Sequence, residues 1–515
     1  MKTILDVPNN THPQWWRDPG LRKLNALLAI VQIGTVVAGY DGSLMNGFFS
    51  IADFLSDMGN PDANIQGLLI ASISLGTIIG VLFCGLWADL RGRVEPQKVG
   101  CIIIIVGALI QTFAIGPWKL FGARILVGFG SGIVLVIGSI HTIELAHPRQ
   151  AAQHAAFFSA NYYIGSIIAW LTFGCLYINS NWNWRLPALF QCAPSVIQFI
   201  GMFFVPESPR WLLSVGRDEE AFAILFRYHA NGETQDEMVL MEVAEIKASI
   251  EVAIQNKSNS VKDIFKTPGN RKRFVILAYV GLILQWAGNG IIGYYLAPIL
   301  VTVGITNPTQ QQGINGGLQI WNYIWAVLGC LVVTRVTRRT QWLTSFVGML
   351  ISYTIFTALS AVYASNGSKS VGSASIAFLF LFNASYAIAA TSLAYLYLLE
   401  ILPQGLRAQG MVIYIVIDYA AIFFNQYVNP VAFAALAWKY YILYIAILAV
   451  SVVFIWWYFP ETFGLTVEEA AMVCDGPDAL LKMSSDARAQ TEVPEAGLDD
   501  KDLKGDGPVT TILEA

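Results

Sequence analysis

Charge is what this sequence has least of. Of its 515 residues only 13% are Asp, Glu, Lys or Arg, while 55% are hydrophobic, and the mean hydropathy is +0.54. A soluble domain carries roughly 25% charged residues. This chain lacks the polar surface to face water, so lipid must be its solvent over most of its length. The net charge of −4 names no partner, because the charges are segregated along the chain, and nothing suggests a nucleic acid. Cysteine is scarce too. Cys84, Cys101, Cys175, Cys192 and Cys330 fall inside apolar runs and Cys474 lies in the C-terminal tail. They read as small hydrophobes, with neither a disulfide framework nor metal-ligand spacing. A basic-then-apolar cleavable leader is missing. The first 20 residues are mixed (Asn9, Asn10, His12, Trp15, Trp16, Arg17, Asp18), and the first apolar span is expected to serve as its own insertion signal. No nucleophile–base set or cofactor motif stands out, so no enzyme, no cofactor and no metal are expected.

What is present is a series of twelve apolar segments near the roughly 20 residues that a helix needs to cross a hydrocarbon core. In the first half they cover 24–48, 65–88, 98–116, 119–143, 155–178 and 186–205. In the second they cover 274–302, 313–334, 343–364, 373–399, 410–434 and 439–459. The expected organisation is a cytoplasmic tail at 1–23, a six-helix bundle at 24–206, a cytoplasmic linker at 207–272, a second bundle at 273–460 and a cytoplasmic tail at 461–515. Within the linker, 217–229 and 236–256 have the spacing of short amphipathic helices, with Leu240, Val243, Ile246 and Ile250 on one face. After Cys474 the composition turns polar and acidic, as in a disordered tail.

Lys and Arg set the orientation. With both termini inside, the outer loops and their edges hold Lys119, Arg185, Lys369 and Lys439, Arg124 lies within span 4, and the other 26 basic residues fall inside. The first outer loop carries Asp53, Asp57 and Asp62 and no base. Asn366–Gly–Ser368 is a glycosylation sequon on a short outer loop. A multi-pass protein of the plasma membrane is expected.

The chain also says the same thing twice. Glu144, Pro148 and Arg149 close span 4, and Pro206–Glu207–Ser208 close span 6; Glu400, Pro403 and Arg407 close span 10, and Pro460–Glu461–Thr462 close span 12. From Glu144 to Pro206 is 62 residues and from Glu400 to Pro460 is 60. Asp89–Leu–Arg–Gly92–Arg93 lies upstream of the first Glu, and Thr334–Arg–Val–Thr337–Arg338–Arg339 upstream of the second. A duplicated membrane bundle with polar patches at matching depths is typical of a transporter.

Read in order, these motifs resemble the sugar porter branch of the major facilitator superfamily, from about residue 24 to 470. They are joined by Gly39–Tyr40–Asp41, Arg124-x-x-x-Gly128-x-Gly130, Trp184–Arg185, Pro206–Glu–Ser–Pro–Arg210 and Pro460–Glu–Thr–x–Gly464 with Glu468–Glu469. Gln285–Trp–Ala–Gly288–Asn289–Gly and Arg227–Tyr–His–Ala–Asn–Gly232 look most like the lactose permease-like and cellodextrin-like fungal branch. The resemblance implies an all-α integral membrane protein with the major facilitator fold, twelve helices in two pseudo-symmetric bundles, working as a monomer. It implies import of a sugar, with a disaccharide in scope, coupled to protons by alternating access. Its partners would be the solute, protons and the bilayer.

Asp41 and Arg124 stand where the family resemblance implies a proton-binding carboxylate and the cation that tunes it. An intramembrane charge needs a partner or water. At about 1.5 Å per residue both lie roughly 8–10 Å from the outer face, which permits a pair. Burial disfavours a charged carboxylate and a nearby guanidinium favours it, so two such states could load and release a proton. The glycines of span 4, Gly128, Gly130 and Gly132, read as helix packing. A sugar site needs side chains that both donate and accept, with aromatic platforms. Gln285, Asn289, Tyr294 and Tyr295 in span 7, Gln319 and Asn322 in span 8, Ser159, Asn161 and Ser166 in span 5, and Tyr395 in span 10 meet that description. Asp89, Arg93, Glu144, Arg149 and Glu207 in one half, and Arg338, Arg339, Glu400, Arg407 and Glu461 in the other, are where the family has an ion-pair gate that holds the outward-open state. Inside anchoring and helix capping explain part of the same pattern.

Departures matter as well. Thr334 and Thr337 replace an Asp and a Gly, Val94 an Arg, and His141 a Tyr. His141 reads as a locally hydrogen-bonded side chain rather than a proton relay. Asp418, 18 residues after Glu400, is an anion where the family has a neutral amide. It is expected either to contact the solute, by bonds to hydroxyls or by selecting an amine, or to pair across the cavity or face other helices. Two alternatives therefore stand: the same fold moving another small metabolite, exporting included, and a non-transporting nutrient sensor. The short tail argues against a sensor.

Overall fold

The computed structural model describes residues 7–49, 51–255, 265–333, 335–403, 406–463 and 473–475. Thr334, Gly464, Glu468, Glu469 and most of the acidic tail lie outside these, as do the side chains of Tyr294 and Arg407.

Within the described residues the chain is helical throughout. The first half comprises α1 (Pro19–Phe48), the short α2 (Ala52–Asp57), α3 (Ala63–Arg91), α4 (Val94–Thr112), α5 (Pro117–Leu145), α6 (Ala151–Thr172), α7 (Trp182–Phe190) and α8 (Cys192–Gly201). The linker holds α9 (Pro209–Ser214), α10 (Asp218–His229) and α11 (Glu237–Gln255). The second half comprises α12 (Pro268–Trp286), α13 (Asn289–Thr302), α14 (Pro308–Val332), α15 (Arg338–Asn366), α16 (Lys369–Tyr386), α17 (Ala394–Ile401), α18 (Arg407–Leu436) and α19 (Tyr441–Tyr458). Spans 6, 7 and 10 are each broken into two pieces, which gives twelve spans.

Side-chain oxygens start several of these helices. Asp18 caps α1, Asp62 caps α3, Thr267 caps α12 and Asn307 caps α14, each accepting from an otherwise unpaired backbone N–H of the first turn. The breaks have local causes. Span 6 turns at Gln191 between Pro187 and Pro194. Span 7 turns at Gly288, whose φ of +102° suits a residue without a Cβ. Span 10 passes through a π-helical turn at Ala387–Thr391, a feature frequent near functional sites. Spans 5 and 8, in turn, are diluted by His, Asn and Gln side chains. These four, spans 5 to 8, are the ones not apolar and continuous enough to be recognised as membrane-crossing by composition alone.

Within the first half α5 packs against α3 and α4, and α1 against α6; within the second, α15 packs against α16 and α19, and α12 against α18. The halves meet where α3 crosses α18, α6 crosses α14 and α1 crosses α13. Ser74 Oγ donates to Gln426 Oε1 at 2.6 Å, Gly67 lies against the Tyr427 backbone, and Gly316 lies against the Trp170 ring. At mid-depth Tyr163 Oη and Thr391 Oγ1 are 3.3 Å apart. Apart from that pair, these contacts lie toward the end of the bundle that carries few bases. The linker helices form their own apolar cluster with Val7, through Leu212, Leu225 and Val239.

Candidate functional site

Asp41 sits on α1 and is 2% exposed. Ser131 Oγ on α5 donates to its Oδ2 at 3.2 Å, and Gln191 Nε2 donates to its Oδ1. Gln191 is free to do so because it occupies the break between α7 and α8, and its own Oε1 accepts from Gln111 Nε2 at 3.0 Å. Arg124, also buried on α5, donates from Nε to the Leu69 carbonyl at 2.8 Å and lies within electrostatic reach of Asp41. The structure thus gathers Asp41 and Arg124 into one interior with three side chains that the motifs did not single out. One signal was available: Ser131 follows Arg124 by seven residues, two turns along the same helix face.

A second carboxylate, Asp418 on α18, is 7% exposed. Gln285 Nε2 donates to its Oδ1 at 2.8 Å, and the Gln285 carbonyl accepts from Asn425 Nδ2 at 2.6 Å. Tyr395 is 40% exposed and meets Tyr414 edge to face at 5.4 Å. Asn289 and Asn322 each hold a buried side-chain oxygen with no hydrogen-bond donor among the described residues. Gln319 donates to Asn315 at 3.2 Å. Tyr295 donates to the Gln426 carbonyl at 2.8 Å and is buried, so it ties α13 to α18. In the first half Asn161 Nδ2 donates to Gln32 Oε1 at 2.9 Å, and His154 joins Gln32 (3.2 Å) to Asn25 (2.6 Å). Ser166 donates to the Gly39 carbonyl at 3.1 Å, a helix-packing bond, and Ser159 is half-buried. Asn25, Gln32 and His154 were not among the expected residues, because scattered polar side chains near a span end carry no motif.

At the base-rich end the duplication is explicit atom by atom. Arg93 donates to Glu144 through Nε at 2.9 Å and Nη2 at 3.1 Å; Arg338 donates to Glu400 through Nη2 at 2.8 Å and Nε at 3.2 Å. Glu207 accepts from the backbone N–H groups of Arg93 and Val94, and Glu461 from those of Arg338 and Arg339. Both glutamates thereby sit at helix N-termini, where a carboxylate is favoured. Ser208 donates to Glu144 and Thr462 to Glu400. Among the described residues each network is closed within its own half. Arg339 enters through its backbone. The Arg149 guanidinium points elsewhere, donating to the Val7 carbonyl at 2.9 Å, and Asp89 lies within electrostatic reach of Arg93. His141 is bonded on both nitrogens, to Pro206 O at 3.1 Å and Gln97 at 3.0 Å. Its counterpart Tyr397 donates to Pro460 O at 2.9 Å, so the imidazole reproduces the tyrosine's bond. Asn366 is exposed at the end of α15.

Among curated relatives, an MFS-type transporter of Aspergillus cristatus, criB, is 26% identical over 463 residues, covering 88% of this chain and 94% of its own. A high-affinity glucose transporter of Kluyveromyces lactis is 25% identical over 463 residues, covering 85% and 83%. Among solved structures, the proton:xylose symporter XylE bound to 6-bromo-6-deoxy-D-glucose superposes with a TM-score of 0.73 at 19% identity, covering 87% of this chain and 98% of that one. Inward-open XylE from E. coli gives 0.71 at 19% identity, covering 87% and 99%. The shared fold is that of the major facilitator superfamily. With the sequence pattern described as "Sugar (and other) transporter" matched over residues 27–473, this chain belongs to that family, one of transporters and not of enzymes.

Proposed function

We propose that this protein carries a sugar inward across the plasma membrane together with a proton, by alternating access, with both termini cytoplasmic. The observation that carries the proposal is Asp41: a buried carboxylate held by two neutral donors, with the Arg124 guanidinium in electrostatic reach. A structural charge pair is best served by a direct, multiply bonded partner. A carboxylate held by a hydroxyl and an amide can instead exchange its proton without losing its place. The solute site is drawn from Gln285, Asn289, Gln319, Asn322, Tyr395 and Asp418 in the second half, with Asn161 and Ser159 of α6 from the first. The glucose and xylose transporters similar to this chain support a sugar, and the lactose permease-like motifs extend the range to a disaccharide. The paired networks around Glu144 and Glu400 are the gating elements.

A second reading, the same fold moving another small metabolite and exporting it, is favoured by Asp418. Among the described residues no Lys, Arg or His forms an ion pair with it, and its hydrogen-bond donor is the proposed sugar-binding Gln285. An acceptor-only carboxylate suits a donor-rich or amine-bearing solute.

Uptake of labelled glucose, xylose, lactose, cellobiose and quinate, in cells lacking their own sugar porters, tests both readings at about pH 5 and about pH 7.5. Concentrative uptake of one sugar, greater at the acid pH and lost in Asp41→Asn while equilibrative exchange persists, is the expected result. No sugar uptake by a correctly localised protein would overturn the first reading. A change in solute preference in Asp418→Asn supports a solute-contacting carboxylate, and unchanged preference removes the second reading's basis.

A further inference from the structure

The two halves hold the same carbonyl in the same way, with parts of different origin. The residue after Glu144 is Leu145, the last of α5, and the residue after Glu400 is Ile401, the last of α17. The Leu145 carbonyl accepts from His229 Nε2 at 3.3 Å; the Ile401 carbonyl accepts from Arg273 Nε at 3.1 Å. Both donors are buried, His229 at 0% and Arg273 at 3% exposure. Each is backed by a carboxylate. Glu242 Oε2 lies 2.9 Å from His229 Nδ1, and the Asp475 oxygens accept from Arg273 Nη1 at 3.0 Å and Nη2 at 2.5 Å. His229 and Glu242 come from the linker, whereas Arg273 begins span 7 and Asp475 lies in a short C-terminal segment folded beneath it. No sequence repeat announces the correspondence. A backbone carbonyl can only accept, and an ionised carboxylate can only accept, so both nitrogens of His229 must donate. A ring that donates twice is an imidazolium, and the C-terminus of α5 is a place that favours a cation.

We propose that His229 and Arg273 are positioning residues that clamp the ends of spans 4 and 10, and so hold Glu144 against Arg93 and Glu400 against Arg338; the first clamp releases when its imidazolium loses a proton, and the second does not respond to pH. The groups facing His229 are Glu242 on α11, Asp236 just before it, and His147 at 5.2 Å between ring centres; Arg149, in the turn after α5, and Asp18, at the start of α1, act on His147 in turn. Burial opposes the charge on His229, but Glu242 outweighs it and holds the pKa above the ordinary 6.5. His147 is pushed down to about 3 by burial and then by the charge of His229, so it stays neutral and leaves His229 as the titrating member. The sign follows from the raised pKa. The clamp is fully formed below about pH 6.5 and is lost as pH rises through the higher folded value. A neutral imidazole has one N–H and keeps only one of the two bonds.

Hydrogen–deuterium exchange mass spectrometry on the full chain in lipid nanodiscs, from about pH 6 to about pH 9 with intrinsic exchange rates divided out, tests this without any solute. Peptides covering the end of α5 are expected to lose protection about tenfold as pH rises, the weight of a charge-assisted hydrogen bond. Peptides covering the end of α17 are expected to show no such slope. His229→Gln should flatten the α5 profile, while Asp475→Asn should lower α17 protection at every pH without adding a slope. Should His229→Gln fail to fold, Glu242→Gln keeps an acceptor but removes the charge, and must move the α5 midpoint to lower pH. A slope that survives His229→Gln, an unmoved midpoint in Glu242→Gln, or both helix ends titrating together would overturn the proposal.

Discussion

Asp18 shows how much one side chain can organise at the membrane edge. It is buried, and it accepts from the backbone N–H groups of Leu21 and His12, both at 2.9 Å, and from Asn231 Nδ2 at 2.8 Å. It therefore caps α1 and binds the N-terminal segment to the linker in one step. Burial works against its charge, but the donors prevail and its pKa lies below the usual 3.8. The resulting stabilisation is present above about pH 3.8 and is lost as pH falls through the lower folded value. Asp18→Ala removes a cap and strands three donors, at a cost of about 2 kcal/mol. A fall in Tm is expected for Asp18→Ala, and a smaller one for Asp18→Asn, which keeps an acceptor. Equal Tm values for the wild type and Asp18→Ala would show that the segment is held elsewhere.

At the scale of elements, helix contact is set by small residues placed against backbone. A Cβ on Gly39 of α1 would lie 1.8 Å from the Tyr162 carbonyl oxygen of α6, and one on Gly165 of α6 would lie 1.9 Å from the Val36 carbonyl oxygen of α1. The same reciprocity joins α3 and α5, where Gly76 faces the Ile125 carbonyl and Gly128 the Ile73 carbonyl. Gly39→Val must push α1 off α6 because backbone, unlike a flexible side chain, cannot turn away. A loss of about 3 kcal/mol is expected, read as reduced recovery of monodisperse protein and a lower Tm, whereas Gly122→Ala, which meets open space, should be silent. The glycines of span 4 were legible as packing residues because small residues at helical spacing have few other uses in lipid. Eight of the twelve spans were legible as contiguous apolar runs, and spans 5 to 8, more polar or broken, from their place in the duplicated frame. The breaks at Gln191 and Gly288 and the π turn before Tyr395 were not, since hydropathy averages over about 19 residues and does not register one reoriented peptide. Gln191 therefore went unnoticed although it touches Asp41. The correspondence of His229 with Arg273 was equally hidden, being one of position in space between residues of different type.

For the whole molecule, the question is how two rigid bundles exchange one opening for another. Among the described residues the networks around Glu144 and Glu400 bond within their own halves, so these bonds stiffen each bundle end rather than tie the bundles together. Ties between halves are found at mid-depth and toward the base-poor end, including the Ser74–Gln426 bond where α3 crosses α18. These ties between halves were not legible in the sequence, because polar side chains such as Asn64, Gln66, Gln409, Asn425 and Gln426 occur along α3 and α18 without a motif, and only the fold shows which are in contact. If the bundles rock about a central site, as duplicated transporters do, the Ser74–Gln426 contact must part once in each cycle. Joining these positions covalently should then stop transport while leaving the fold intact. In Ser74→Cys/Gln426→Cys, oxidation or a short bifunctional reagent is expected to abolish uptake of the sugar identified by the panel, and reduction of the disulfide to restore it. Each single-cysteine variant should be insensitive to the same treatment. Full uptake by a quantitatively cross-linked double variant would mean that the halves do not separate at this end, and transport would then need a path through bundles that stay joined there.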